Sequence, residues 1–253
     1  MNLFSLQNKN IVITGASSGI GRQCAAACNQ LGAKVFLIGR NSIALEETKN
    51  MIPYPENAEI VIADLTQFEE VTKIVATNIH NRGLVHGIIH AAGISTTLPF
   101  RNVTTEKMNL FFNVNVVAAL HLTQLLTKPA SFTKDGGGIV FITSVMSQVG
   151  ESAKVLYGMT KGALLAASKS LAIEYAPRKI RVNCIAPGVV DTPMSQKAYY
   201  SQNDTLKQKI QALHPLGLGK PNDVAAACCF LLSDAASWIT GIQLTVDGGY
   251  TAR

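Results

Sequence analysis

Ile11-Val12-Ile13-Thr14-Gly15-Ala16-Ser17-Ser18-Gly19-Ile20-Gly21 is a β-prone run that passes without a break into three glycines, and a helix-like segment over 18–31 follows. Glycine lacks a Cβ, so this turn can bend sharply and let the backbone approach a ligand closely. The helix behind it presents free N–H groups and its positive dipole end to a phosphate. Glycine also serves turns of no function. Here the turn lies between the first strand and first helix of a βαβ pattern, the context a dinucleotide-binding turn requires. Its spacing, G-x-x-x-G-x-G, differs from the commoner G-x-G-x-x-G.

Outward from that turn, short apolar runs alternate with longer amphipathic ones. The runs are Ile11 to Thr14, Lys34 to Ile38, Glu59 to Ala63, Gly87 to Ala91, Ile139 to Thr143, Ile180 to Ile185 and Gln243 to Val246. They are rich in Val and Ile and apolar on successive residues, as strands covered on both faces are. Helix-like segments fall at 18–31, 42–50, 67–81, 104–127, 155–176 and 221–233. Alternation of this kind predicts an α/β fold: one doubly wound, Rossmann-like domain over 1–253, a seven-stranded parallel sheet with helices on both faces. The segment 192–221, with Pro193, Met194, Tyr199, Tyr200, His214 and Pro215, breaks the pattern after a strand end and is expected to be a substrate lid, or a surface insertion without a role.

The 253 residues are 47% hydrophobic and 15% charged, which suits a packed core and argues against disorder. No run of about 18 uncharged apolar residues predicts a membrane span. The N-terminus does not read as a secretory signal. The net charge of +6 is spread out, so nucleic acid is not an expected partner, while anionic ligands are modestly favoured. The cysteines, Cys24, Cys28, Cys184, Cys228 and Cys229, are odd in number and form no paired CxxC elements. They are expected to be buried free thiols of a cytoplasmic protein, with no metal bound.

Chemistry gathers at four places. Tyr157 and Lys161 are four apart on one face of the 155–176 helix, and Ser144 ends the fifth strand at the carboxyl edge of the sheet, where ligands bind in such folds. Carbonyl reduction needs a proton at oxygen as hydride reaches carbon. A free phenol, with a pKa of about 10, is too weak an acid, and a neighbouring ammonium is expected to lower it. Ser144 can hold the substrate oxygen. A packed tyrosine beside a snorkelling lysine is the alternative. Asp64, in Ala63-Asp64-Leu65, is placed to accept from an adenine amino group or to cap the next helix, although Thr66 is better placed to cap. Ala91-Ala92-Gly93 ends the fourth strand with small residues that permit either a flat ligand or tight packing. The second strand ends in Gly39-Arg40-Asn41, with no carboxylate to bind ribose hydroxyls, and Arg40 can pair with a 2′-phosphate, aided by Ser17 and Asn41.

With these residues in hand, the chain resembles the short-chain dehydrogenase/reductase family over almost its whole length. Thr14-Gly15-x-x-x-Gly19-x-Gly21, Ala91-Ala92-Gly93, Val114-Asn115, Ser144, Tyr157-x-x-x-Lys161, Pro187-Gly188-x-x-x-Thr192 and Asp247-Gly248-Gly249 carry the resemblance. It implies Tyr157 as general acid or base, Lys161 as modulator of its pKa and holder of the nicotinamide ribose, Ser144 as substrate-orienting hydroxyl, and Asn115 as anchor of a proton-relaying water. Pro187, Gly188, Val190 and Thr192 would line the nicotinamide end. The expected cofactor set is then Gly15, Ser17, Ser18, Gly19, Ile20, Gly21, Arg40, Asp64, Leu65, Ala91, Ala92, Gly93, Tyr157, Lys161 and those four residues, with NADP(H) preferred over NAD(H). His90 stands where the family often has Asn. The C-terminal half resembles 3-oxoacyl-[acyl-carrier-protein] reductases, but Leu171-Ala172-Ile173-Glu174 has Ile where those enzymes commonly carry a basic residue. The expected activity is NADP(H)-dependent reduction of a carbonyl or oxidation of a secondary alcohol. The alternatives are a 3-oxoacyl reductase of fatty-acid synthesis and a catalytically silent dinucleotide-binding regulator. Apolar excess at Phe111, Phe112, Val116, Ala119 and Leu120, and at Leu164, Leu165, Ala167 and Leu171, predicts helices covered on two sides and a homotetramer.

Overall fold

The computed structural model describes residues 2–196 and 203–252. Seven strands, β1 Asn10–Thr14, β2 Lys34–Gly39, β3 Ala58–Ile62, β4 Gly87–His90, β5 Gly137–Ile142, β6 Ile180–Pro187 and β7 Gln243–Val246, form one sheet in the order β3-β2-β1-β4-β5-β6-β7. Every pairing is parallel. Side chains alternate between the faces. Ile11 and Ile13 pack with Cys24, Cys28, Val224 and Leu231 on one side, and Val12 packs with Phe36, Val71 and Leu122 on the other.

The first face carries α1 Gly19–Gln30 and α9 Pro221–Leu232 packed on each other, with α2 Ser42–Met51 beside α1. The opposite face carries α3 Phe68–Ile74, α4 Thr105–Phe112, α5 Ala118–Leu126 and α6 Val155–Tyr175. Two short helices, α7 Pro193–Gln196 and α8 Asp204–Ala212, follow β6. They fall within the expected lid, whose Tyr199 and Tyr200 lie outside the described residues.

Two expected helices are not uniform. The 104–127 segment is α4 and α5 joined by a π-turn over Asn113–Val117, and 67–81 is α3 followed by a π-turn over Val75–Ile79 and a single 3-10 turn. By length and composition Thr105–Leu126 is apolar enough to cross a membrane, and half of it is buried inside the fold. Strand ends differ by one or two residues from the periodicity. β6 extends to Pro187 because Ala186 and Pro187 pair with Thr245 and Val246. All five cysteines are buried and free, and Cys28 Sγ lies 3.7 Å from Cys229 Sγ. Hydrogen bonding between neighbouring thiols and burial raise Cys24 and Cys28, which makes them poor nucleophiles.

The strand order reverses between β1 and β4, so their following loops part and leave a crevice at the carboxyl edge. The glycine turn sits in it. A Cβ on Gly15 would come within 2.9 Å of the Ala92 backbone, and one on Gly21 within 2.3 Å of the Gly15 carbonyl oxygen. Gly15 also has φ +67, so both positions require glycine. Thr14 Oγ1 accepts from the N–H groups of Ala91 and Ala92, each at 3.1 Å, and thereby pins the two loops together. The small residues at 91–93 therefore serve tight packing and also face the crevice.

Candidate active site

Two adjoining cavities open on the carboxyl edge. The first, about 290 Å³, is lined by the glycine turn from Gly15 to Gly21, by Arg40, by Asp64, Leu65 and Thr66, and by Ala91, Ala92 and Gly93. The second, about 180 Å³, is lined by Ser144, Tyr157, Lys161, Pro187, Gly188, Val190 and Thr192. Ile20, Ala91, Gly93, Ile94, Thr192 and Met194 line both, so the pair is one continuous cleft. All the expected site residues except Asn115 line one cavity or the other.

The first cavity suits an extended anion-bearing ligand. No side chain caps α1, so Ser18 and the helix start leave N–H groups for phosphate oxygens. Arg40 is exposed, and its Nη1 is 4.0 Å from Asp64 Oδ2, a weak surface pairing that a stronger anion can displace. Asp64 accepts from the Thr66 N–H at 3.0 Å and from its hydroxyl at 2.7 Å, and these bonds hold its carboxyl below the usual range. Thr66 is thus spent on Asp64 and does not cap α3, which begins behind Gln67 without a side-chain cap. Asn41 Oδ1 accepts from Ala44 N–H and caps α2, which fixes the side chain through its oxygen, while a phosphate would need its Nδ2 donor.

In the second cavity Ser144 lies just beyond β5 and lines the wall with Tyr157, close enough for its hydroxyl to favour the phenolate. Burial nevertheless pushes that phenol up to about 12, and burial pulls Lys161 down to about 8. The expectation that Lys161 lowers Tyr157 is not met in the protein alone. Lys161 Nζ donates to the Ile142 carbonyl at 2.8 Å and sits 5.6 Å from the centre of the tyrosine ring, so desolvation outweighs attraction. Asn115, inside the π-turn, is buried behind the cavity wall. Its Oδ1 accepts from Ile94 N–H at 2.8 Å, and its Nδ2 donates to Ile94 O and Thr160 Oγ1. Its amide thus holds the loop after β4. A Cβ on Gly93 would lie 3.1 Å from Asn115 Oδ1 and 3.6 Å from Lys161 Nζ, which places these groups together.

Residues 15–251 match the family model described as enoyl-(acyl carrier protein) reductase. L-xylulose reductase from Bos taurus is 33% identical, with 98% of each chain covered. The chain belongs to the short-chain dehydrogenase/reductase family of oxidoreductases. Within that family, 3-oxoacyl-[acyl-carrier-protein] reductase from Thermotoga maritima is 30% identical over 96% of this chain and 98% of the relative. A solved structure from Beutenbergia cavernae, described as an NAD(P)-dependent gluconate 5-dehydrogenase with NADP bound at low occupancy, superposes with TM-score 0.91 at 32% identity over the whole of both chains.

Several residues that build this short-chain dehydrogenase/reductase site carry no sequence signal of their own. Arg22 Nη2 donates to Ser17 O at 2.6 Å and to Glu47 at 3.0 Å, tying the glycine turn to α2. Gln243 Oε1, on β7, accepts from the Thr143 and Ser147 hydroxyls on either side of Ser144. His214 Nε2 accepts from Val189 N–H at 3.1 Å while its Nδ1 donates to Ile210 O at 2.7 Å, fixing the ring between α8 and the loop after β6. A Cβ on Gly188 would come within 2.9 Å of that ring. Asp247 of the Asp-Gly-Gly motif is raised by burial, but bonds from Thr251 and Gly249 outweigh this and leave it low. Its part is structural: it folds the turn after β7.

Proposed function

We propose that this chain is an NADP(H)-dependent oxidoreductase that interconverts a ketone and a secondary alcohol, with Tyr157 exchanging the proton at the substrate oxygen. The observation that carries this reading is the convergence of Ser144, Tyr157 and Lys161 in one cavity that runs directly into the glycine-turn cavity. A phenol held near 12 is fully protonated at neutral pH and stands ready as the acid of ketone reduction. Ser144 aligns the carbonyl oxygen with that proton. The nicotinamide cofactor, when bound, supplies the hydride.

The glycine turn and the uncapped start of α1 would hold the diphosphate, Lys161 the nicotinamide ribose, and Arg40 the adenosine 2′-phosphate. Displacing Arg40 from Asp64 costs little at an exposed site, and the phosphate contact outweighs it. The NADP in the Beutenbergia cavernae structure supports the same preference. The acyl-carrier alternative is less well supported, because Ile173 presents a 76% exposed apolar side chain where an acidic carrier would favour a cation. A cytoplasmic homotetramer is part of the proposal, with Phe112, Leu120, Leu165 and Leu171 left half-buried on one subunit.

Turnover of a panel of ketones, ketoacyl thioesters, sugars and steroids with NADPH and NADH tests the reading. A charged contact of this kind predicts a preference of about tenfold in kcat/KM for NADPH, reversed by Arg40→Asp. Equal kcat/KM for both cofactors, or a ratio unmoved by the substitution, excludes Arg40 as the phosphate reader. Binding of either cofactor with no turnover of any substrate would favour the silent regulator.

A further inference from the structure

The substrate cavity contains a cation that the chemistry described so far does not use. Lys154 is the residue that leads into α6 and stands three residues before Tyr157. Both line the same cavity, beside the apolar Ile94, Met146, Met194 and Ile210. Lys154 Nζ donates to Thr97 Oγ1 at 2.7 Å and to Thr96 O at 3.3 Å. An ammonium has three N–H groups, so one remains for a further acceptor.

Both bonded partners are neutral. Among the described residues no carboxylate lies within 4.0 Å of this ammonium. Glu151, on the cavity rim, acts on it only from a distance, and desolvation lowers Lys154 from its ordinary value. A half-buried cation without a counter-ion is unfavourable unless a ligand brings one. The backbone holds it there at a cost: Ala153, the residue before it, has φ +62, a left-handed conformation rare for alanine. The Ala153 carbonyl accepts from Leu98 N–H at 2.9 Å, which ties this strained corner to the loop that carries Thr96 and Thr97.

We infer that Lys154 is a specificity-determining residue that binds the carboxylate of a small oxo acid, or of the matching hydroxy acid, whose reacting carbon lies a few bonds away at Tyr157 and Ser144. The cavity is about 180 Å³ and shares its Pro187, Gly188 and Thr192 wall with the proposed nicotinamide end, so only a small substrate fits beside Lys154. Lys154 lines this cavity and not the one that the glycine turn lines, so its counter-ion comes with the substrate and not with a dinucleotide phosphate. This inference rests on the proposed carbonyl chemistry, and binding can be tested apart from turnover.

The probes are levulinate and its neutral isostere levulinamide, titrated calorimetrically into the full-length protein and, in parallel, assayed for reduction with NADPH. The wild type is expected to bind the acid about tenfold more tightly than the amide, as one charged hydrogen bond implies. Lys154→Gln and Lys154→Met should both bring the two affinities level, and Lys154→Arg should restore the preference. A wild type that binds both equally or fails to bind levulinate, or a preference that survives in the Gln and Met variants, overturns the inference. If levulinate binds with the predicted preference and neither probe nor any other ketone is reduced, the carbonyl-reductase reading fails while the Lys154 site stands.

Discussion

Tyr157 and Lys161 are displaced from their ordinary acidities in opposite directions, and burial causes both shifts. The phenol at about 12 keeps its proton, while the ammonium at about 8 gives its proton up more readily. Ketone reduction, which needs the phenol, should be insensitive to pH near neutrality. Alcohol oxidation needs the phenolate and should rise as pH increases. Below about pH 8 the Lys161 ammonium is present to favour any phenolate that forms during turnover, and its removal withdraws that support. Lys161→Met should therefore slow alcohol oxidation at neutral pH by about 100-fold and move its alkaline rise to higher pH. A variant profile that superimposes on the wild type would remove Lys161 from the proton path.

The elements around the site show what a sequence pattern can and cannot carry. β4 delivers His90 into the interior, stacked on Phe141 at 4.8 Å with Nε2 2.8 Å from Thr123 Oγ1. The Thr123 hydroxyl already donates to Ala119 O, so the ring nitrogen is the donor and Nδ1 is left an unpaired acceptor. Burial holds this imidazole down to about 3, against 6.5 when free. The folded state keeps it neutral while the unfolded chain takes up a proton, so stability is full above about pH 6.5 and declines toward pH 3, by at most ~1.4 kcal/mol per pH unit. Urea titrations from pH 7 to pH 4 should show His90→Asn losing stability less steeply than the wild type; parallel declines would contradict the assignment. The seven-stranded parallel sheet, both helix layers and the glycine turn are legible because burial on both faces imposes continuous apolar runs and close approach imposes glycine. The π-turn at Asn113–Val117 is not, since its residues keep the helical pattern. Lys154 carries no signal in the sequence, and His214 is marked only as part of the expected lid, for a related reason: each owes its place to partners away in sequence, Thr96 and Thr97 for one and Val189 for the other.

At the scale of the whole molecule, the helices thought to mark an interface divide in two. Phe111, Val116, Ala119 and Leu164 are buried within one subunit and carry no argument for assembly. Phe112, Leu120, Leu165 and Leu171 stay half-buried, and Val117, Ile173 and Trp238 are exposed. Light scattering at micromolar protein should give four times the 27.0 kDa chain mass; the monomer mass would exclude the tetramer. Assembly, cofactor preference and substrate charge are all secondary to the claim that the cleft carries out carbonyl chemistry through one phenol. NADPH-dependent ketone reduction by wild type and Tyr157→Phe, measured beside the NADPH dissociation constant of each, tests that claim most directly. The substitution removes a single oxygen from a site whose cofactor cavity lies next door. Turnover should fall by about 100-fold or more while NADPH affinity stays within a few-fold, and a variant keeping more than about a tenth of the wild-type rate would contradict the account.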